Sequence, residues 1–200
     1  MKRREFTAAL TLSLIPAFTG GIAFAQDESG IKDMTLGADD APITVIEYAS
    51  YTCPHCANFH KAVFDKLKEN YIDTGKVKFI YREVYFDRYG LWASMIARCG
   101  GDMRFFGISD MLYDTQSEWA KGEPADIAEN LRKIGLKAGI EQDALDACMA
   151  DGETAQKLVE WYQKNATADD ITGTPSFIIN GEPFGNANYE DFSKHLDSLL

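Results

Sequence analysis

The sequence predicts an α/β domain interrupted by an all-helical subdomain, and three observations predict it. Strand-like apolar runs fall near the two ends of the chain, at 43–50, 77–84 and 176–180. Between them, from 88 to 170, apolar residues recur only at helical spacing. A cysteine-bearing turn, Cys53-Pro54-His55-Cys56, hands the first strand to a helix. A strand–helix–strand unit of this length implies a parallel pair with a right-handed crossover. The expected organisation is a signal segment at 1–25 and an N-terminal lead at 26–42. Then come an α/β domain from 43–87 and 171–200 and an inserted helical subdomain over 88–170.

In chain order, Lys2, Arg3 and Arg4 precede a mostly apolar stretch from Ala8 to Phe18, and Ala23-Phe24-Ala25 forms a small-x-small cleavage pattern before Gln26. This reads as an export signal cleaved near Ala25-Gln26. The alternative, an uncleaved anchor, has a short apolar part interrupted by Thr11, Ser13, Pro16, Gly20 and Gly21. Arg3-Arg4-Glu5-Phe6 also resembles a twin-arginine motif, though Lys2 and Thr7 flank it. Both export routes stay open. The full chain carries a net charge of −11, and removing the signal leaves it more acidic. Such a surface argues against nucleic acid or anionic lipid as a partner. Export places the cysteines where disulfides persist.

Gln26 to Pro42 is polar and ends in the turn Asp39-Asp40-Ala41-Pro42. The strand at 43–50 is apolar on both faces, as in a strand covered on both sides. Glu47 is its exception. It is read either as solvated or as a buried acid that relays protons to Cys56. Phe59, Val63, Phe64 and Leu67 give the next helix an apolar face, and Val77 to Val84 forms the second strand. There Arg82 either neutralises Glu47 from the neighbouring strand or points outward. In the helical block, Gly135 and Gly139 bracket the end of one helix. Ala144, Leu145, Cys148 and Met149 face inward on the next, and Trp92, Trp119 and Trp161 are expected in the core. Asn180-Gly181 signals a hairpin, and Tyr189, Phe192, Leu196 and Leu199 mark a final amphipathic helix. His195, beside that stripe, is read as a packed rather than a catalytic residue.

The chemistry lies in Cys53-Pro54-His55-Cys56. At a helix start the first N–H groups lack intrahelical partners and the dipole is positive, so a thiolate there is stabilised. Pro54 suits the first turn, where a missing N–H costs nothing. His55 adds positive charge or a donor beside the sulfur. A zinc site wants a second close cysteine pair, and Cys99 and Cys148 stand far apart, so no metal is expected. A structural staple across so short a loop contributes only about 2 kcal/mol. Redox exchange is therefore the reading. Cys99 and Cys148 are either two reduced core cysteines or a second disulfide clamping two helices.

Taken together, these features resemble the thioredoxin superfamily, and within it the DsbA family of periplasmic thiol oxidases. The resemblance rests on the strand, the Cys-Pro-His-Cys helix start, the helical insertion, and Thr174-Pro175 before a hairpin and terminal helix. It implies a thioredoxin-like fold and a cis Pro175 against the active-site sulfurs. The backbone at Thr174 and Pro175 would pair with an extended substrate. It implies that oxidised Cys53–Cys56 is donated, through a mixed disulfide at Cys53, to unfolded or folding exported proteins with free thiols. A DsbB-like membrane quinone reductase would restore it, with no metal or organic cofactor, in a periplasmic monomer. Some DsbA relatives carry a second disulfide in the helical domain, which Cys99 and Cys148 match. The chain departs from the best-known DsbA members at Thr174, where they carry Val; disulfide isomerases of the superfamily carry Thr there. An isomerase or reductase, and a peptide-binding module with an incidental Cys-x-x-Cys, are the rival readings.

Overall fold

The computed structural model describes residues 30–200, so the export signal at 1–25 lies outside the described residues. Its centre is β2 (Ile43–Ala49), a strand buried on both faces. β2 pairs parallel with β3 (Val77–Glu83), from Ile43 opposite Val77 to Ala49 opposite Glu83. On its other side it pairs antiparallel with β4 (Ser176–Ile179). β1 (Met34–Leu36) and β5 (Glu182–Phe184) close the edges, giving the order β1-β3-β2-β4-β5. The Asn180-Gly181 turn joins β4 to β5 with both residues at positive φ (50° and 87°), the geometry of a two-residue hairpin.

β1 was not expected: the sequence reads 26–42 as a polar lead. Three residues are too few for a period-two pattern to show. Yet Met34 is buried and pairs with Tyr81 at the sheet edge.

After β2 the chain turns into a helical run over 54–72. It comprises α1 (Pro54–Phe59), a π-helical turn (His60–Phe64), α2 (Asp65–Leu67) and a second π turn (Lys68–Ile72). Phe59, Val63, Phe64 and Leu67 are all buried, as their spacing predicts. Phe59 meets Phe177 of β4 at 4.7 Å between ring centroids, and Phe177 meets Phe192 of α9 (Tyr189–Asp197) at 5.1 Å. Thus the first and last helices share one face of the sheet.

The chain between β3 and β4 is helical: α3 (Arg88–Cys99), α4 (Asp102–Asp114), α5 (Gln116–Trp119), α6 (Pro124–Lys137), α7 (Gln142–Ala150) and α8 (Gly152–Ala168). Its inner residues, among them Phe105, Ile108, Leu112, Leu131 and Leu145, join the sheet's core in one continuous cluster. α8 returns to the opposite face, where Ala166 packs with Tyr48, Val84 and Ile178. Gly139 follows the end of α6, so the two glycines bracket it as the sequence predicts, with Gly135 in the last turn. A Cβ there would stand 2.4 Å from Leu145 Cδ2, so glycine lets α7 approach. Of the three tryptophans only Trp119 is fully buried, and of the inward-facing set on α7 only Leu145 is.

Cys99 and Cys148 form a disulfide, Cα–Cα 6.0 Å, which ties the end of α3 to α7. This settles the alternatives left open by the sequence. With a sequence separation of 49, chain entropy assigns the cross-link about 4 kcal/mol. Replacing both cysteines with alanine is expected to lower the unfolding free energy in urea by about 3–4 kcal/mol. A loss below about 1 kcal/mol would show that the reduced chain is already constrained there.

Candidate active site

The site forms where β2 ends. Cys53 is the N-cap of α1, in extended conformation (φ −84°, ψ 118°), with no side-chain cap bond. Pro54 occupies the first helical position and supplies no N–H. The Cys53 N–H donates to Ser50 O at 3.0 Å, and Ala57 N–H donates to Cys53 O at 3.2 Å. No side chain caps the first turn of α1, so its leading amides have no side-chain partner. Cys53 and Cys56 are both reduced, Cys53 half-buried and Cys56 fully buried. Pro54 and His55 are exposed, so His55 stands on the solvent side of the pair.

The Thr174–Pro175 peptide is cis. The Cys53 thiol donates to the Thr174 carbonyl at 3.5 Å, bringing the two distant motifs together as the resemblance implies. The Thr174 hydroxyl is buried without a geometric hydrogen bond and lies against the Cys56 sulfur. Burial pushes the Cys56 thiol well above its ordinary range, and the Glu47 charge pushes it further; the Thr174 side chain and the Ser50 backbone offset part of this.

The helical insertion holds this turn from two sides. Gln116, on α5, donates through Nε2 to the carbonyls of Tyr51 (2.8 Å) and Cys53 (3.0 Å). Asp87 caps α3 by accepting from the Tyr89 and Gly90 amides at 2.8 and 2.9 Å. Its other oxygen accepts from Thr52 at 2.7 Å, one residue before Cys53.

Glu47 is fully buried, which decides against the solvated reading. Its partner is His60: Nε2 to Oε2, 3.0 Å. Arg82, the expected neighbour, is elsewhere. Residues in register across paired strands share a face, and Arg82 is in register with Tyr48, not Glu47. It therefore turns to the α8 face and binds Asp33 (2.9 and 3.0 Å), the Tyr48 hydroxyl (2.7 Å) and Asp169 (3.1 Å). Arg82 is thus a clamp between the N-terminal segment, the sheet and the end of α8, and takes no part in a relay with Glu47.

Sequence reasoning missed His60, Gln116 and Asp87. His60 stands four residues after Cys56, a spacing that sets two side chains on one face of a regular helix, and that signal was readable. Gln116 and Asp87 act through contacts remote in sequence that no periodicity encodes. His195 packs against Phe184, centroids 4.7 Å apart, and takes no part in the site. Among the described residues no cluster of His, Cys, Asp or Glu could hold a metal.

Comparisons agree with this geometry. The family model described as Thioredoxin matches residues 29–198. A Rickettsia bellii protein named protein-disulfide oxidoreductase is 34% identical over 180 residues, covering 90% of this chain and 68% of that one. Across the Rickettsia relatives the chain spans 63% to 68% of their length. Disulfide bond formation protein D of Bacillus subtilis is 28% identical, covering 82% of this chain and 76% of its own. The crystal structure of Wolbachia pipientis alpha-DsbA1 superposes with a TM-score of 0.76 at 32% identity, covering 84% of this chain and 90% of that one.

Gln116→Ala leaves two carbonyls beside the site without their shared donor. It is expected to cost about 1–3 kcal/mol in urea unfolding. An unchanged midpoint would mean that water replaces the amide at no cost.

Proposed function

We propose, from the premise that this chain belongs to the thioredoxin family and to its DsbA-like protein-disulfide oxidoreductases, that it is a periplasmic dithiol oxidase donating Cys53–Cys56 to exported proteins as they fold. The observation that carries this reading is the asymmetry of the two sulfurs. Cys53 is reachable at the helix start, whereas Cys56 is buried behind it.

In the oxidised enzyme a substrate thiolate attacks Cys53 Sγ. The substrate–Cys53 bond forms, the Cys53–Cys56 bond breaks, and Cys56 leaves as a thiolate. Burial favours its neutral form, so Cys56 takes up a proton and does not readily reverse the step. A second substrate thiolate then attacks the substrate's own sulfur. Cys53 leaves as an anion at the N-terminus of α1, where the helix dipole is positive. The substrate is oxidised by two electrons, and the enzyme holds the dithiol. An extended substrate lies along the Thr174–Pro175 backbone, and the Thr174 carbonyl, which accepts from the Cys53 thiol, becomes available to it when the disulfide forms. A DsbB-like membrane quinone reductase restores the disulfide. The enzyme works as an exported monomer; among the described residues no helix is long and apolar enough to cross a membrane.

Equilibration with glutathione tests the direction of transfer. An oxidase is expected to show a Cys53–Cys56 reduction potential less negative than about −180 mV, where protein disulfide isomerase stands. A value near about −270 mV, that of thioredoxin, would assign the protein to reduction instead. Cys53→Ser is expected to abolish oxidation of a dithiol peptide. Activity equal to wild type would leave the cysteine pair incidental to peptide binding.

A further inference from the structure

The rim of the site holds a cation without an anion. The chain has 31 acidic and 20 basic residues, so carboxylates are plentiful. Among the described residues Arg82, Arg98 and Arg132 each bind one, and Arg104 binds the Gly139 carbonyl. Arg88 is exposed, and its partners there are aromatic side chains instead. Its guanidinium lies 5.1 Å from the Tyr89 ring centroid and 5.6 Å from that of Trp92, and Nη2 donates to the Tyr89 hydroxyl at 3.1 Å. Tyr89 and Trp92 meet edge to face at 5.5 Å and pack against the core. The two rings thus orient the guanidinium, and the other donors of its fork have no partner among the described residues.

Arg88 opens α3, and α3 begins against the active-site turn. A Cβ on Gly90 would stand 3.2 Å from Ser50 Oγ and 3.5 Å from Thr52 Oγ1, so helix and turn touch. Asp87, the residue before Arg88, accepts from the Thr52 hydroxyl at 2.7 Å, one residue before Cys53. Both Asp87 oxygens are taken, by Thr52 and by the amides of Tyr89 and Gly90, and neither bonds Arg88. Through this contact the backbone at Arg88 lies within roughly five residues of extended chain from Cys53. Phe86, on the other side of Asp87, is 59% exposed. The other large exposed apolar side chains, Met103, Leu136, Leu199 and Leu200, belong to α4, α6 and the C-terminus.

We infer that Arg88 is a specificity-determining residue of the disulfide exchange: it receives an acidic side chain of the extended polypeptide whose thiol meets Cys53, while Phe86 covers an apolar neighbour of that side chain. This deepens the oxidase reading and rests on it. It names the favoured segment as one with Asp or Glu a few residues from its cysteine and an apolar residue beside the acid. A guanidinium matches a carboxylate with two parallel hydrogen bonds, and rings that hold the fork in place reduce the freedom it loses on binding. The contact lies outside the seat formed by Cys53 and Thr174–Pro175. It makes and breaks no covalent bond; the carboxylate only sets where the segment lies when its sulfur reacts.

The test uses the oxidised mature protein and dithiol peptides of one sequence, in which a single Glu or Lys is moved along the chain up to about six residues from the first cysteine. The oxidation rate constant of the Glu peptide is divided by that of the Lys peptide at each position. Both peptides meet the same sulfur, so the ratio cancels any change in its reactivity. The acidic surface as a whole acts on every position alike, so a peak in the ratio reports a local contact. Wild type is expected to show such a peak. At that position Arg88→Ala is expected to lower the ratio at least about threefold, and Arg88→Glu to lower it further, with the peak shrinking in high salt. Phe86→Ser is expected to slow both peptides and leave their ratio within about 1.5-fold, since it removes apolar contact and no charge. A wild-type ratio flat along the peptide, a peak that survives in Arg88→Ala, or a fall in Phe86→Ser as large as that in Arg88→Ala would overturn the inference. A wild type that oxidises neither peptide at any position sinks the oxidase reading, and this inference with it. That outcome is seen before any variant is compared.

Discussion

The structure depends on one constraint, that a strand buried on both faces must release its chain directly into a helix at a point where a sulfur stays reachable. β2 cannot move, because β3 and β4 pair with it on either side and helices cover both its faces. Its end is therefore a rigid platform. Cys53 is held there by Ser50 and Ala57 through the backbone, by Gln116 through its carbonyl, and by the Thr174 carbonyl at its sulfur. Two local backbone bonds and two contacts from elements distant in sequence, Gln116 at the Cys53 carbonyl and Thr174 at its sulfur, fix this residue, the kind of preorganisation a reacting group requires.

From this placement the chemistry divides by burial. The sulfur at the helix start belongs to a half-buried residue at the positive end of the α1 dipole. The second sulfur, one turn on, meets the core, the Glu47 charge and aromatic rings, and so favours its protonated form. The same short motif thus supplies an attacking or attacked atom and a protected one. The helical insertion contributes by closing the core over Cys56 and by Asp87 and Gln116, which bind the turn itself.

Much of this was legible in the sequence, for identifiable reasons. Strands, helices and the hairpin follow from periodicity and from Asn180-Gly181, which are local. The cysteine turn is legible because residue type and position act together: Pro54 at the first helical position, and sulfur where amides are unpaired. Glu47 stood out as an acid in an apolar run. Its partner His60 was readable from its spacing after Cys56, but the sequence pointed as well to Arg82, whose face stays undetermined until the register is known. With Tyr81 opposite Glu47, Arg82 necessarily faces away. β1 was hidden by its length. Gln116 and Asp87 were hidden because a side chain that binds a remote carbonyl or hydroxyl leaves no pattern in its own segment. The pairing of Cys99 with Cys148 was one of two readings, decided only when α3 and α7 were seen side by side.

The central claim is that the two sulfurs differ in reach, so that Cys53 alone meets a partner. The most direct measurement is site-resolved alkylation of the reduced protein at neutral pH, with a limiting reagent and peptide mass spectrometry. The account predicts that Cys53 is labelled and Cys56 is not, until the fold is opened by denaturant. Equal labelling of both cysteines in the folded protein, or labelling of Cys56 first, would contradict it.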